Sequence, residues 1–134
     1  MNWLGLDKSN KKCKEMDFWD INTVRSNPDK IFIFGDNEQG WGKGGQAIIR
    51  DESNAFGIPI KRAPSWKPDA FWYDEDIEQH KPKIDRAIAK IPRDRQWILP
   101  SGGIGTGRGK PKQGTNKKTV EYLRQQLLAI CTGD

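Results

Sequence analysis

Short apolar runs alternating with amphipathic stretches predict an α/β domain of three layers, with helices on both faces of a largely parallel central sheet. Three observations carry that expectation. Residues 30–34 form an unbroken β-branched and aromatic run, the pattern of a strand buried on both faces. Residues 96–100 read as the last clear strand, and residues 117–131 place Val120, Leu123, Leu127 and Ile130 on one helical stripe. Ligand sites in such domains lie at the carboxyl ends of the strands. Here a glycine-rich loop follows each of the two clearest strands.

Each element has its own local reason. Residues 11–20 are mixed, with Met16, Phe18 and Trp19 able to form a short strand, and residues 21–26 add a helical turn that Asn27-Pro28-Asp29 breaks. The run at 30–34 is the expected central strand. After the first glycine loop, Ala47, Ile48 and Ile49 suffice for a short helix over residues 44–52. Residues 56–60 read as a further strand in which Pro59, with no amide to donate, marks an edge or a bulge. Pro64, Trp66 and Pro68 make an irregular linker. From Asp74, the expected N-cap, Ile77, Ile84, Ile88 and Ile91 recur at helical spacing, and Pro82 is expected to kink or divide that helix.

The chain of 134 residues is long enough for one domain with its own core. Charged residues make up 31% and hydrophobic ones 34%, in runs too short to span a bilayer, so no membrane partner is expected. The first residues lack a basic segment followed by a long apolar one, which points to a cytoplasmic location. Cys13 and Cys131 are read as reduced thiols rather than as one bridge tying the two ends together. His80, beside Lys81 in a charged stretch, reads as solvated surface. A lone histidine and two distant cysteines make no ligand set, so neither a metal nor a cofactor is expected.

The formal net charge of +5 favours an anionic partner. Residues 93–118 hold seven basic residues and one acid, Asp94, and they contain the second glycine loop. Positive charge is thus placed where a phosphate would arrive. The same segment, with the tryptophans, also suits a nucleic-acid-binding module, or simply a solvated basic surface.

The loops themselves are the most informative feature. The first reads Gly35-Asp36-Asn37-Glu38-Gln39-Gly40-Trp41-Gly42-Lys43-Gly44-Gly45 and the second Gly102-Gly103-Ile104-Gly105-Thr106-Gly107-Arg108-Gly109. Glycine amides approach a phosphate closely, so residues 42–45 and 103–107 make matched seats for a diphosphate. The first loop formally contains G-x-G-x-x-G, but no acid stands about 20 positions beyond it as ribose recognition in a dinucleotide fold requires. In the second, Gly109-Lys110 is followed by Pro111 instead of Ser or Thr, which excludes a P-loop. Ser65 and Ser101 have no His/Asp constellation that would activate them.

The pair of loops resembles a macrodomain, the module that holds ADP-ribose between one glycine-rich loop near its start and another near its end. Trp41-Gly42-Lys43-Gly44 is similar to the Met-Gly-Lys-Gly loop of a branch that includes hydrolases removing ADP-ribose from glutamate or DNA bases, and Asn37 stands in a place comparable to that branch's asparagine, one residue closer to the loop. The stretch from Pro100 to Gly107 is similar to the phosphate loop. The resemblance implies a macrodomain-like fold and contacts to an ADP-ribose-type nucleotide from Gly35, Trp41, Gly42, Gly44 and Gly45. It implies further contacts from Ser101, Gly103, Ile104, Gly105, Thr106, Gly107 and Arg108. An early acid, Asp17 or Asp20, would accept from the adenine amino group. Asp36, Asn37 and Lys43 would face the distal ribose, with Lys43 as candidate nucleophile and an ADP-ribosylated protein or nucleic acid as substrate. One departure is plain: Lys110 stands where those hydrolases carry an acid, and a lysine does not replace a carboxylate as proton acceptor.

Several of these residues also have a second reading. Lys43 could make a point-charge contact or be solvated, Asp36 could cap the loop, and Asn37 could occupy a left-handed turn. Trp41 could stack on a base or cover the core. Arg108 and Lys110 bind phosphate or are surface charge. Trp66, Phe71, Trp72 and Tyr73 form either a wall over the adenine, a loop packed on the core, or a partner contact. Three function classes follow: an ADP-ribosyl hydrolase, a protein that sequesters a nucleotide unchanged, and a nucleic-acid-binding module.

Overall fold

A computed structural model describes residues 2–133. Its elements are β1 (Cys13–Met16), α1 (Ile21–Arg25), β2 (Lys30–Asn37), β3 (Ala55–Lys61), α2 (Ile77–Ala89), β4 (Gln96–Pro100) and α3 (Lys117–Thr132), with short 3-10 turns at Gly45–Ile49, Pro68–Ala70 and Asp74–Asp76. The four strands form one sheet in the order β1-β4-β2-β3, and all three pairings are parallel. The domain is therefore α/β, as expected.

Alternation along β2 explains the layers. Ile31 and Ile33 point to one face, where Ile84 and Ile88 of α2 and Leu123 and Leu127 of α3 cover them. Phe32 and Phe34 point to the other, where Val24 of α1 and Ala47 and Ile49 of the 3-10 turn close the core. Both faces are covered, which is why the run lacks polar alternation.

Several boundaries differ from the sequence-based expectation. β2 continues through Gly35, Asp36 and Asn37, so part of the first glycine loop is strand. β3 is an edge strand and its register against β2 shifts between Asp36 and Asn37, opposite Pro59 and Lys61. Phe18 lies outside β1 and is exposed. Pro82 lies inside α2 without dividing it. Its missing amide would have bonded the carbonyl of Glu78, and both residues lie on the solvent side of the helix, where the loss is least costly. Asp74 does not cap α2. Its carboxylate accepts from the Lys118 amide at 2.8 Å and so caps α3. On α3 the fully buried stripe is Thr119, Leu123, Leu127 and Cys131, one residue round from the expected Val120 and Ile130.

Cys13 and Cys131 are joined in a disulfide with Cα atoms 5.5 Å apart, which corrects the expectation of two reduced thiols. Sequence separation gave no hint that the start of β1 and the last turn of α3 lie side by side. No described helix is long and apolar enough to cross a membrane.

Candidate functional site

The two glycine loops meet because of the strand order. β2 and β4 are neighbours, yet the chain leaving β2 turns onto one face of the sheet and the chain leaving β4 returns on the other. Such a switch point opens a crevice at the carboxyl ends of the strands. Here the crevice is a cleft of about 350 Å³, lined from the first loop by Gly35, Asp36, Asn37, Trp41, Gly42, Gly44 and Gly45 and from the second by Gly105, Gly107, Arg108 and Gly109. Gln46, Ala47, Arg50, Ile60, Lys61, Pro64 and Trp66 complete it.

Gln46 fastens the loops together. Its side-chain oxygen accepts from the Gly35 amide at 2.9 Å, and its side-chain nitrogen donates to the Gly103 carbonyl at 2.9 Å. The Arg108 side chain crosses over Gly44, where a Cβ would stand 2.7 Å from its guanidinium. Gly42 has φ +88°, and a Cβ there would come within 2.9 Å of the Pro64 ring, so both backbone and space exclude a side chain. The second loop is held from below by Asn116, whose buried amide donates to the Gly105 and Gly109 carbonyls at 2.9 and 3.2 Å. Neither Gln46 nor Asn116 stood out in the sequence. Their one signal is position, immediately after the first loop and immediately before α3.

Among the described residues, the amides of Gly42, Gly44, Gly105, Gly107 and Gly109 donate to no acceptor in the protein, although Gly105 and Gly109 are buried. Buried amides are almost always paired, so the unpaired Gly105 and Gly109 donors stand out, while those of Gly42, Gly44 and Gly107 lie in residues open to solvent and so to a ligand. On the rim, Trp41 and Trp66 are 60% and 52% exposed and offer planar apolar faces.

The three residues expected to face a ribose are otherwise engaged. Asp36 takes two hydrogen bonds from Arg50, whose third nitrogen donates to the Gly42 carbonyl, so this pair braces the loop. The Asn37 side chain accepts from the Gln39 and Gly40 amides, both at 3.0 Å, and donates to the Trp41 carbonyl at 2.9 Å. Lys43 is half-exposed, pairs with Asp51 and does not line the cleft. In the second loop, Ser101 donates to Asp17, Ile104 is buried in the core and the Thr106 hydroxyl donates to the Gly102 carbonyl. None of Ser101, Gly103, Ile104 or Thr106 lines the cleft, and Asp20 caps α1. The aromatic group divides: Trp66 lines the cleft, Phe71 and Trp72 are buried, and the Tyr73 hydroxyl donates to the Pro68 carbonyl.

Lys61 enters the site unannounced. It is buried at the end of β3, its Nζ donates to the Ser65 and Arg108 carbonyls at 2.9 and 3.3 Å, and the rings of Phe71 and Trp66 lie 4.4 and 5.1 Å away. Burial, and then the like charge of Arg108, hold its amine below the ordinary lysine range.

His80 is also buried, which corrects the expectation of a surface residue. It stacks on Trp72 at 4.2 Å and its Nδ1 shares a hydrogen bond with Thr119, while burial depresses its pKa. A second cavity, at the other end of the strands, has four basic residues, Lys11, Lys12, Arg93 and Arg95, and one acid, Asp94, in its lining. The basic segment is therefore divided: Arg93 and Arg95 precede β4 and Arg108 follows it. Five strand residues part its two ends by roughly 15 Å. No group of acids, histidines or cysteines suited to a metal ion occurs among the described residues.

Fold and cleft together define a parallel α/β domain with a glycine-lined crevice at its topological switch point. Residues 14–126 match a family described as a family of unknown function, DUF7831, and the chain belongs to that family. Searches of the curated proteins and of the solved structures return no match.

Proposed function

We propose that this protein is a macrodomain-like holder of ADP-ribose or a closely related nucleotide, with the diphosphate seated between the loops after β2 and β4. The observation that supports it is the set of uncommitted glycine amides on both walls of one cleft. A diphosphate supplies acceptors to both sides at once. Trp41 and Trp66 suit an adenine or ribose face at the rim. The cleft's size falls at the lower end of small-molecule sites, about 300–1,000 Å³. A nucleotide attached to a protein or nucleic acid would enter by that open rim.

The geometry favours retention of the nucleotide over its hydrolysis. Lys43 is turned to Asp51, Asp36 is neutralised by Arg50, and the Asn37 amide is spent on its own loop. Among the described residues, the one carboxylate that lines the cleft is Asp36, and no histidine does. A cytoplasmic setting belongs to this proposal, and the Cys13–Cys131 bridge counts against it because reducing compartments keep thiols open.

The test is calorimetry with ADP-ribose, followed by chromatography of an ADP-ribosylated peptide incubated with the protein. Saturable heat and an unchanged peptide are expected; no heat at millimolar ligand would refute the proposal, and released ADP-ribose would restore the hydrolase reading. The basic second cavity favours a nucleic-acid reading instead. Binding of that kind weakens steeply between low and physiological salt, whereas a pocketed nucleotide loses much less.

A further inference from the structure

Lys61 poses an electrostatic problem that the protein does not solve by itself. It is 7% exposed, yet no salt bridge reaches it among the described residues. Its partners are two carbonyls and two ring faces, which favour a cation but do not neutralise it. A buried charge without a counter-charge is costly, and a methionine would fill the same aromatic slot without that cost. The slot opens on the cleft. There the charge that acts on it is Arg108, which has no salt bridge among the described residues, whereas Arg50, also lining the cleft, is already matched by Asp36. One wall thus carries two uncompensated cations and both walls carry unpaired amides.

We propose that Lys61 is the residue that reads the ligand's charge: it takes a phosphoryl oxygen of the bound nucleotide beside Arg108, so that the cleft admits a diphosphate and rejects the neutral nucleoside. This rests on the nucleotide reading of the cleft. The groups facing Lys61 are Arg108 from the loop after β4, Lys112 over the same Trp66 ring, the Arg50–Asp36 pair across the cleft, and the Arg62–Asp69 pair beside it on the chain. Of these, Lys112 is exposed, and the two acids are each paired with an arginine. An anion against Lys61 stabilises its ammonium. Affinity is therefore full while Lys61 is protonated and falls as pH rises through its lowered pKa.

Calorimetry with ADP-ribose between pH 7 and 10 tests this, because the ligand's diphosphate has no proton to lose in that range. Lys61→Met is expected to bind at least about tenfold more weakly at pH 7, the loss of one charge-assisted hydrogen bond. The parent is expected to weaken with rising pH, while Lys61→Arg, which cannot deprotonate, keeps a flat profile. Adenosine should bind the parent at least about a hundredfold more weakly than ADP-ribose, because it offers no phosphoryl oxygen to either Lys61 or Arg108. Equal ADP-ribose affinity in the parent and Lys61→Met, or adenosine binding as tightly as ADP-ribose, overturns the role of Lys61 and leaves the cleft reading standing. No ADP-ribose binding by the parent overturns both. Should circular dichroism show Lys61→Met unfolded, the pH profiles of the parent and Lys61→Arg decide alone: parallel profiles overturn the proposal.

Discussion

Gln46 shows how much one side chain carries in this domain. Gln46→Leu keeps the volume but strands the Gly35 amide and the Gly103 carbonyl, which should cost about 2 kcal/mol or more in urea unfolding and weaken ADP-ribose binding as the loops part. Lys43→Ala should do neither, since its ion pair with Asp51 is exposed and lies off the cleft; a change in ADP-ribose affinity beyond about twofold would show that Lys43 reaches the ligand. His80 gives a pH signature. Its folded pKa lies below the ordinary 6.5, so the neutral form is the native one and the unfolded chain binds more protons. Stability from this residue is full above that value and is lost as pH falls through the folded pKa, so the midpoint of the parent should drop more between pH 7 and 5 than that of His80→Gln. The burial of His80 was legible, because it shares the i, i+4, i+8 stripe with Ile84 and Ile88. Its charged sequence neighbours hid that spacing. Lys61 had no such signal, since its burial is decided by a slot that Phe71 and the second loop close from elsewhere in the chain.

Strands and helices were easier to read than their ends. β4 coincides with its apolar run because turns bound it on both sides, whereas β2 runs three residues further, since pairing with β3 extends it through Gly35 and Asp36. A Cβ at Gly57 would lie 2.9 Å from the Asp36 carboxylate, so β3 makes room for a side chain that sequence alone placed in a loop. The sequence marks Asp74 as the cap of the helix that follows it, but it caps α3 across the fold. Asp74→Ala should therefore cost about 1 kcal/mol, and amide exchange should quicken in the first turn of α3 rather than of α2. The Cys13–Cys131 bridge ties β1 to α3 over a separation of 118 residues. On the chain-entropy model such a loop contributes about 4–5 kcal/mol, so dithiothreitol should lower the midpoint of guanidinium unfolding in the parent and leave Cys13→Ser unaffected.

For the molecule as a whole, the topology does what no single residue could. Elements leaving β2 and β4 go to opposite faces of the sheet, and that alone brings two loops more than fifty positions apart to one crevice. That they face each other was to be expected from two glycine loops that each follow a strand of an α/β sheet; that the two strands are neighbours was not legible. Nor was the identity of the lining groups, because which side chains turn inward depends on pairs such as Asp36–Arg50 and Lys43–Asp51 that form only once the loops are packed. A thermal shift offers a first check, since ligand at about 100 times its dissociation constant stabilises by about 2.7 kcal/mol. The sharper measurement is a titration of the isotopically labelled protein with ADP-ribose, followed by amide resonances. A nucleotide clasped between the loops shifts Gly42 and Gly44 together with Gly105, Gly107 and Gly109 along one saturation curve. Shifts confined to one loop, or gathered instead at Arg93 and Arg95, would contradict the clasp.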